Sequence, residues 1–268
     1  MTLFSRILCA SLLFALPAHA VGAFPAKSGI VLNMSNGHVL YAHKANLSLP
    51  PASLAKLMTL FLALDAVRNK QISPQSLVNV SRQAANTGGS SMRLRAGENV
   101  ALHDLLAGMA VVSGNDAATA VALRLSKGNV NDFVKRMNRK AGALGLKRTR
   151  FQNPTGLPAP EQTSTAREMA LLARAYLRAH PQAQSLHALP SITHRGRTLY
   201  NTNGLLGTQG IDGLKTGFTN AGYNVIVTAR NDKTRLLAVV MGAKNRTARD
   251  AAVGELLERG FNAKRAMR

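Results

Sequence analysis

The spacing of hydrophobic residues at the start of the chain predicts a β-hairpin followed by a helix. Two apolar runs, 29–34 and 38–41, flank the dipeptide Asn36-Gly37, which favours a tight turn between two strands. From Leu54 onwards the apolar residues recur at helical spacing, and this pattern fades near Asn69. The sequence therefore predicts a hairpin that leads into a buried helix.

The rest of the chain divides into a helical middle and a strand-rich end. Helices joined by loops are predicted from Ile72 to about Tyr176, and a final helix is predicted to end at Gly260. Beyond Pro190 the hydrophobic period changes to two, with a turn at Asn231-Asp232. The predicted strands are Ile192–Thr202, Ile211–Thr216, Tyr223–Ala229 and Leu236–Met241.

Strands at both ends of the chain and helices between them predict a mixed α and β fold. The simplest arrangement is one antiparallel sheet built from both ends, flanked by helices, with a mainly helical subdomain inserted. We expect the sheet part to occupy about 28–70 and 190–262, and the helical subdomain about 71–189.

The first twenty residues have the pattern of a secretory signal peptide. Arg6 precedes the apolar run 7–16, and Ala18-His19-Ala20 supplies a cleavage site of small residues. We therefore expect a signal peptide at 1–20 and one domain at 21–268. The only cysteine, Cys9, lies inside this segment, so no disulfide is expected in the exported protein.

The charge of the chain predicts contact with polyanions. Its 268 residues include 34 Lys and Arg against 12 Asp and Glu, a formal charge of +22. Such a surface attracts nucleic acid, anionic lipid or an acidic polymer. Export to the periplasm or beyond argues against nucleic acid, and leaves an anionic wall polymer or a membrane surface for a soluble or peripherally bound protein.

Ser53 and Lys56 are the first candidates for chemistry. They lie three residues apart at the start of the predicted helix, so their side chains share a face. A hydroxyl beside an amine can act as a nucleophile beside its base. Taken alone, the pair is better explained as a serine at a helix start followed by a surface lysine.

Three short motifs follow one another in a recognisable order. They are Ser53-Leu54-Ala55-Lys56, Ser113-Gly114-Asn115 and Lys215-Thr216-Gly217. Together, S-x-x-K, S-x-N and K-T-G are the signature of penicillin-binding proteins and class A β-lactamases. Each motif alone is weak, but their order and the predicted export favour a functional interpretation.

Longer segments resemble the D-alanyl-D-alanine carboxypeptidases, the low-molecular-mass penicillin-binding proteins. The resemblance runs from about Gly29 to Phe261 and is strongest at 51–59, 113–117, 153–157 and 212–219. It implies a β-lactamase/DD-peptidase-like fold and serine acyl transfer on peptidoglycan stem peptides during cell-wall remodelling. It also implies that β-lactam antibiotics inhibit the protein covalently.

The resemblance assigns roles to the first two motifs. It implies that Ser53 is the acylated nucleophile, that Lys56 accepts its proton, that Ser113 relays protons and that Asn115 lines the opposite wall. A lysine normally titrates near 10.4, so Lys56 needs burial or a nearby cation such as Lys215 to act as a base.

The third motif is expected to bind the substrate. By resemblance, Lys215 and Thr216 bind its carboxylate, and Gly217 leaves the strand edge open. We expect the backbone N–H groups of Ser53 and Phe218 to hold the oxyanion.

Several other functions remain to be weighed against a DD-carboxypeptidase. The histidines have no metal-ligand spacing, so no metal or cofactor is expected. Glu161 and Glu168 have no Asn four residues on, which argues against a class A β-lactamase. The chain ends at Arg268, soon after the last predicted helix, which leaves a DD-endopeptidase open. A wall-binding protein without activity is the alternative of another class.

Overall fold

The computed structural model describes residues 23–231 and 234–266 of the chain. The expected signal peptide at 1–20 and Asp232 of the expected turn lie outside these residues. The strands are β1 (Ala26–Asn33), β2 (Val39–His43), β3 (Leu77–Asn79), β4 (Asn99–Ala101), β5 (Ser191–His194), β6 (Arg197–Tyr200), β7 (Ile211–Thr219), β8 (Gly222–Asn231) and β9 (Thr234–Ala243). The helices are α1 (Lys56–Arg68), α2 (Arg82–Ala85), α3 (Leu102–Val111), α4 (Asn115–Leu125), α5 (Val130–Ala143), α6 (Ala166–Ala179), α7 (Ala183–Ala188) and α8 (Arg246–Ala266).

One antiparallel sheet joins the two ends of the chain, as predicted. Its strand order is β2-β1-β9-β8-β7, so a strand from the start of the chain pairs with one from the end. In the β1–β9 pair, Ile30 lies opposite Val239. The mixed α and β fold is confirmed, whereas the limits of the helical subdomain, about 71–189, stay a prediction.

Both faces of the sheet are covered, because alternate residues of its strands enter two different hydrophobic clusters. On β9, Leu237, Val239 and Met241 belong to the larger cluster, which includes α1 and α6. Leu236 and Val240 point to the other face, where α8 packs. Alternation with a period of two is what a sheet buried on both faces requires.

Three features of the fold differ from the sequence predictions. The run 192–202 is not one strand of the main sheet: β5 and β6 pair with each other around Arg195-Gly196, two residues with positive φ. Strands β3 and β4 form a small sheet in the region predicted as helical. Helix α8 continues past Gly260, where a Cβ would come within 2.8 Å of Leu236. Gly260 therefore allows close packing of helix and sheet rather than ending the helix.

Candidate active site

Ser53 lies in a 3₁₀ turn, Ala52–Ala55, that leads directly into α1. Two glycines allow this turn to fit tightly between its neighbours. A Cβ on Gly156 would lie 1.9 Å from the Ala52 carbonyl oxygen, and a Cβ on Gly217 would lie 3.1 Å from the Ser53 nitrogen. The turn is thus held between the 153–157 loop and β7. This close packing explains the glycine at position 217 more directly than an open strand edge does.

The Lys56 amine lies beside the Ser53 hydroxyl, with 2.8 Å between Nζ and Oγ. Lys56 is fully buried, and Nζ donates a second hydrogen bond, of 2.7 Å, to the Thr155 carbonyl. Ser53 is not at a helix N-cap, because Pro51 caps the 3₁₀ turn and Ala55 precedes α1. These contacts exclude the alternative of a capping serine followed by a surface lysine.

A second buried lysine lies close enough to affect the first. Burial, together with the positive charge of Lys215, lowers the pKa of Lys56 well below 10.5, and Asp116 opposes this shift. Burial also lowers the pKa of Lys215 to about 7. An amine that loses its proton easily can accept one from Ser53, which is the state that a general base needs.

Strand β7 brings Lys215 and Thr216 to the site. Lys215 is buried, and its Nζ donates a 3.1 Å hydrogen bond to the Thr216 carbonyl. The Thr216 hydroxyl donates a 2.8 Å hydrogen bond to the Thr202 hydroxyl, and the Thr202 backbone N–H donates to the Val111 carbonyl. The strand edge is therefore connected to the opposite wall of the site.

The opposite wall comes from the connection between α3 and α4. Ser113 has a φ of 62°, in the left-handed region, and is 3% exposed. Its hydroxyl has no hydrogen-bond partner among the described residues, and neither has the Asn115 Oδ1. Asn115 Nδ2 donates a 2.6 Å hydrogen bond to the Gly88 carbonyl, which fixes the direction of its free oxygen. Two buried polar atoms are thus left available to a ligand.

A cavity of about 270 Å³ lies between these walls. Six of the residues predicted from the sequence line it: Ser53, Ser113, Asn115, Thr216, Gly217 and Phe218. Lys56 and Lys215 lie beneath its surface, fully or almost fully buried. The Phe218 ring is 58% exposed and packs against Tyr223, with 4.4 Å between ring centroids. The structure therefore brings all eight predicted residues together, while their individual roles stay predictions.

Sequence reasoning missed Arg249, which comes from α8 and lines the same cavity. It is 5% exposed, and its guanidinium pairs with Asp250 at 2.7 Å. No motif marks an arginine so far along the chain, so only the packing of α8 on the sheet reveals it.

A buried histidine behind β7 was also missed. His187 Nδ1 lies 2.9 Å from the Leu214 carbonyl, and Nε2 lies 3.2 Å from the Tyr176 hydroxyl. A carbonyl only accepts, so Nδ1 carries the hydrogen and Nε2 accepts from Tyr176. Burial, with the charge of Lys215, lowers the pKa of His187 to about 3. This neutral ring supports the strand that carries Lys215.

The described residues give no sign of a metal site or of a membrane span. In 23–231 and 234–266, no three His, Cys, Asp or Glu side chains are grouped as metal ligands. Over the same ranges, no helix is both long and apolar enough to cross a bilayer.

Comparison with known proteins identifies the family. The model of the D-alanyl-D-alanine carboxypeptidase family matches residues 16–245. The chain is 38% identical over 246 residues to D-alanyl-D-alanine carboxypeptidase DacF of Bacillus subtilis, an alignment that covers 90% of this chain and 63% of DacF. It thus spans less than two thirds of that relative. A D-alanyl-D-alanine endopeptidase of Pseudomonas aeruginosa is 34% identical, with 81% of this chain and 71% of the relative covered.

Solved structures agree with this result. Penicillin-binding protein 5 from Haemophilus influenzae superposes with a TM-score of 0.86 at 34% identity, covering 89% of this chain and 71% of that one. Penicillin-binding protein D2 from Listeria monocytogenes, in an ampicillin-bound form, has a TM-score of 0.81 at 34% identity, with coverage of 89% and 98%. The chain belongs to the D-alanyl-D-alanine carboxypeptidase family.

Proposed function

We propose that the protein is a serine DD-carboxypeptidase, which removes the terminal D-alanine from peptidoglycan stem peptides through an acyl-enzyme. The observation that carries this proposal is the buried Lys56 amine, 2.8 Å from the Ser53 hydroxyl, in a chain of this family. A nucleophile with a neutral base in hydrogen-bond contact is what acyl transfer requires.

Acylation follows from this geometry. The neutral Lys56 amine takes the proton of Ser53 as its Oγ attacks the carbonyl carbon of the penultimate D-alanine. The bond between that carbon and the nitrogen of the terminal D-alanine then breaks, and the departing nitrogen receives a proton through the Ser113 hydroxyl, which has no other partner among the described residues. Water attacks the ester in the second half of the reaction and frees Ser53.

The developing negative charge requires donors that are already in place. We assign this role to the backbone N–H groups of Ser53 and Phe218, as the sequence predicts. The close approach of Gly217 to the Ser53 nitrogen supports this assignment, because it brings the edge of β7 next to the Ser53 turn. Preorganised donors of this kind contribute roughly 10²–10³ in rate each.

The terminal carboxylate of the substrate needs a cation and a hydroxyl. Thr216 and Arg249 line the cavity, and Lys215 lies beneath Thr216. A carboxylate beside Lys215 favours its charged form, so substrate binding should raise the pKa of Lys215 from its value of about 7. The same three residues suit the carboxylate of a β-lactam, which we propose as a covalent inhibitor.

Labelled penicillin tests this proposal. We expect a covalent adduct on Ser53, located by mass spectrometry, that is absent in Ser53→Ala and retained in the control Ser185→Ala. The purified protein should also release D-alanine from a pentapeptide ending in D-Ala-D-Ala. An adduct on another residue, or labelling of Ser53→Ala, would contradict the assignment, and the absence of both labelling and turnover would favour a wall-binding protein.

A DD-endopeptidase is the second candidate, because a D-alanyl-D-alanine endopeptidase of Pseudomonas aeruginosa is 34% identical to this chain. A cross-linked peptide still carries a carboxylate next to the bond that is cut, so Lys215 and Thr216 serve both reactions. Cross-linked dimers and monomeric pentapeptides, offered separately, distinguish them. Release of D-alanine with intact dimers supports the carboxypeptidase, and conversion of dimers to monomers without free D-alanine supports the endopeptidase.

We further propose that the protein is exported and that its strongly basic composition, a formal charge of +22 over the full sequence, holds it near the anionic cell envelope. Contacts between exposed charges are screened over about 10 Å at 0.1 M salt. Binding to isolated sacculi should therefore weaken as salt rises. Retention that does not change with salt would indicate a specific contact instead.

A further inference from the structure

A second, strongly basic pocket lies beside the cavity that holds Ser53. It has a volume of about 160 Å³. Its charged lining comes from the 91–97 loop and from the β5–β6 hairpin, and consists of Arg93, Arg95, His194, Arg195 and Arg197. The four arginines are exposed, and within the described part of the chain no guanidinium among them has an ion-pair or hydrogen-bond partner.

One acidic side chain lies near these arginines. Glu98 Oε1 is 3.1 Å from His194 Nε2, and Glu98 Oε2 accepts a 2.9 Å hydrogen bond from the Arg95 backbone N–H. Glu98 is therefore hydrogen-bonded within the loop and lies close to His194 of the hairpin, but it leaves the guanidinium groups free. Four exposed guanidinium groups, against the carboxylates of Glu98 and the buried Asp116, favour an anionic ligand.

The loop that carries Arg93 and Arg95 is rigidly held by Asp116. This carboxylate is fully buried and accepts hydrogen bonds from the Met92 and Leu94 backbone N–H groups, at 3.0 and 3.1 Å. Asp116 directly follows Asn115, a residue of the Ser53 cavity. The backbone of the arginine loop is thus ordered before a ligand arrives, which lowers the entropic cost of binding.

The same two segments line both pockets. Ser90 borders the Ser53 cavity, and Arg93, three residues later, borders the basic pocket. Leu199 borders the basic pocket, and Thr202, three residues later, borders the Ser53 cavity. Three residues span at most about 10 Å, so a single extended peptide can reach from one pocket to the other.

We infer that the basic pocket binds a side-chain carboxylate of an acidic peptide substrate whose D-alanine end lies at Ser53. The inference rests on the proposed function and adds a determinant of substrate choice. A volume of about 160 Å³ suits one carboxylate side chain better than a sugar or a lipid headgroup. Guanidinium groups bind carboxylates through paired N–H donors, which gives direction as well as charge.

Two pentapeptides test the inference. Both end in D-Ala-D-Ala and carry acetyl-lysine at the third position, but the second residue is glutamate in one and glutamine in the other. We expect the wild-type protein to cleave the glutamate peptide with a kcat/KM roughly tenfold higher, since several charged contacts are lost with the amide. The preference should disappear when all four arginines are replaced by glutamine, as Arg93→Gln, Arg95→Gln, Arg195→Gln and Arg197→Gln, while cleavage of the glutamine peptide is unchanged.

A control variant removes the same charge elsewhere. It replaces four exposed arginines that do not line the basic pocket: Arg82, Arg124, Arg139 and Arg178, each with Gln. We expect it to keep the preference for the glutamate peptide. If the control loses the preference as well, or if the pocket variant keeps it, the inference is wrong.

Further measurements separate this inference from its alternatives. If the quadruple variant does not fold, judged by circular dichroism, the loop pair and the hairpin pair are tested separately. If the wild type cleaves neither peptide, the proposed function fails, and fluorescence anisotropy then measures binding of the labelled peptides to the Ser53→Ala protein. Tighter binding of the glutamate peptide, lost when the four arginines are replaced, would still support the pocket. If the variant loses only binding to phosphatidylglycerol vesicles, the pocket serves a lipid phosphate and the inference is overturned.

Discussion

Two clusters of charged residues lie partly or fully inside this protein, and they are built in opposite ways. In the Asp65 cluster, one carboxylate accepts hydrogen bonds from Arg68 at 2.8 Å, Lys140 at 2.8 Å and His180 at 2.9 Å. In the lysine pair, Lys56 and Lys215, both amines are buried, and the structure shows no carboxylate in contact with either among the described residues.

The pKa values of the two clusters reflect this difference. Burial acts to raise the pKa of Asp65, but hydrogen bonds from Lys140 and His180 and the nearby positive charges lower it overall. Burial lowers the pKa of Lys56 and of Lys215, and Lys215 lowers that of Lys56 further. A cluster that serves stability is balanced by opposite charges, whereas a cluster that must release protons lacks this balance.

The largest expected effect is that of Lys56→Met on acylation. The substitution keeps the length of the side chain but removes the proton acceptor, so we expect the rate of acylation by labelled penicillin to fall about 10²–10⁴-fold. Lys140→Met, which removes a lysine from the Asp65 cluster, is the matched control and should acylate at the wild-type rate. An unchanged rate for Lys56→Met would remove Lys56 from the role of base.

The next largest effect concerns stability. We expect Asp65→Ala to lower the free energy of unfolding by about 1–3 kcal/mol, because the buried His180 and the partly buried Lys140 lose their acceptor. Since the pKa of Asp65 is lowered in the folded state, its contribution is present above about pH 3.8 and is lost as the pH falls through the folded-state pKa. Urea unfolding of the wild type and of Asp65→Ala measures this contribution, and the difference between their free energies of unfolding should shrink in acid. A substantial loss of acylation by labelled penicillin in Asp65→Ala would show that the Asp65 cluster and the lysine pair are not independent.

The lysine pair should affect stability in the opposite pH range. Between the folded-state pKa of Lys215, about 7, and its unfolded value near 10.5, the unfolded chain binds more protons, so stability rises with pH. Removing this group with Lys215→Met should reduce the slope of unfolding free energy against pH by up to about 1.4 kcal/mol per pH unit. Lys127→Met, at an exposed position, controls for the loss of one positive charge. Equal slopes for Lys215→Met and the wild type would contradict the lowered pKa.

The smallest expected effect is that of Tyr176→Phe, which acts behind the lysine pair. It removes the hydroxyl that donates to His187, and we expect a loss of about 0.5–1.5 kcal/mol in the free energy of unfolding. Acylation should change far less than in Lys56→Met, because the His187 bond to the Leu214 carbonyl remains. A loss of acylation as large as that of Lys56→Met would show that Tyr176 positions β7 for catalysis.

Elements whose hydrophobic pattern is local were predictable, and those that depend on distant packing were not. The hairpin at Asn36-Gly37 and helix α1 agree with the sequence because their turn and period lie within one short segment. The β5–β6 hairpin has the same period as a sheet strand, so pattern alone cannot show that it pairs with itself. At Gly260, a residue that often ends helices lies inside α8, because the sheet packs too closely there for a side chain.

The sequence by itself determined that strands near both ends enclose a mainly helical middle, and it determined the three motifs and hence the family, because these depend on residue type and spacing. Only the tertiary structure decided that Lys56 is buried against Thr155, which is 99 residues away, that Lys215 lowers its pKa, and that Arg249 enters the cavity. It alone placed Arg93 and Arg195 at one pocket. Desolvation and the distance between charges govern these properties, and both depend on contacts between segments far apart in the chain.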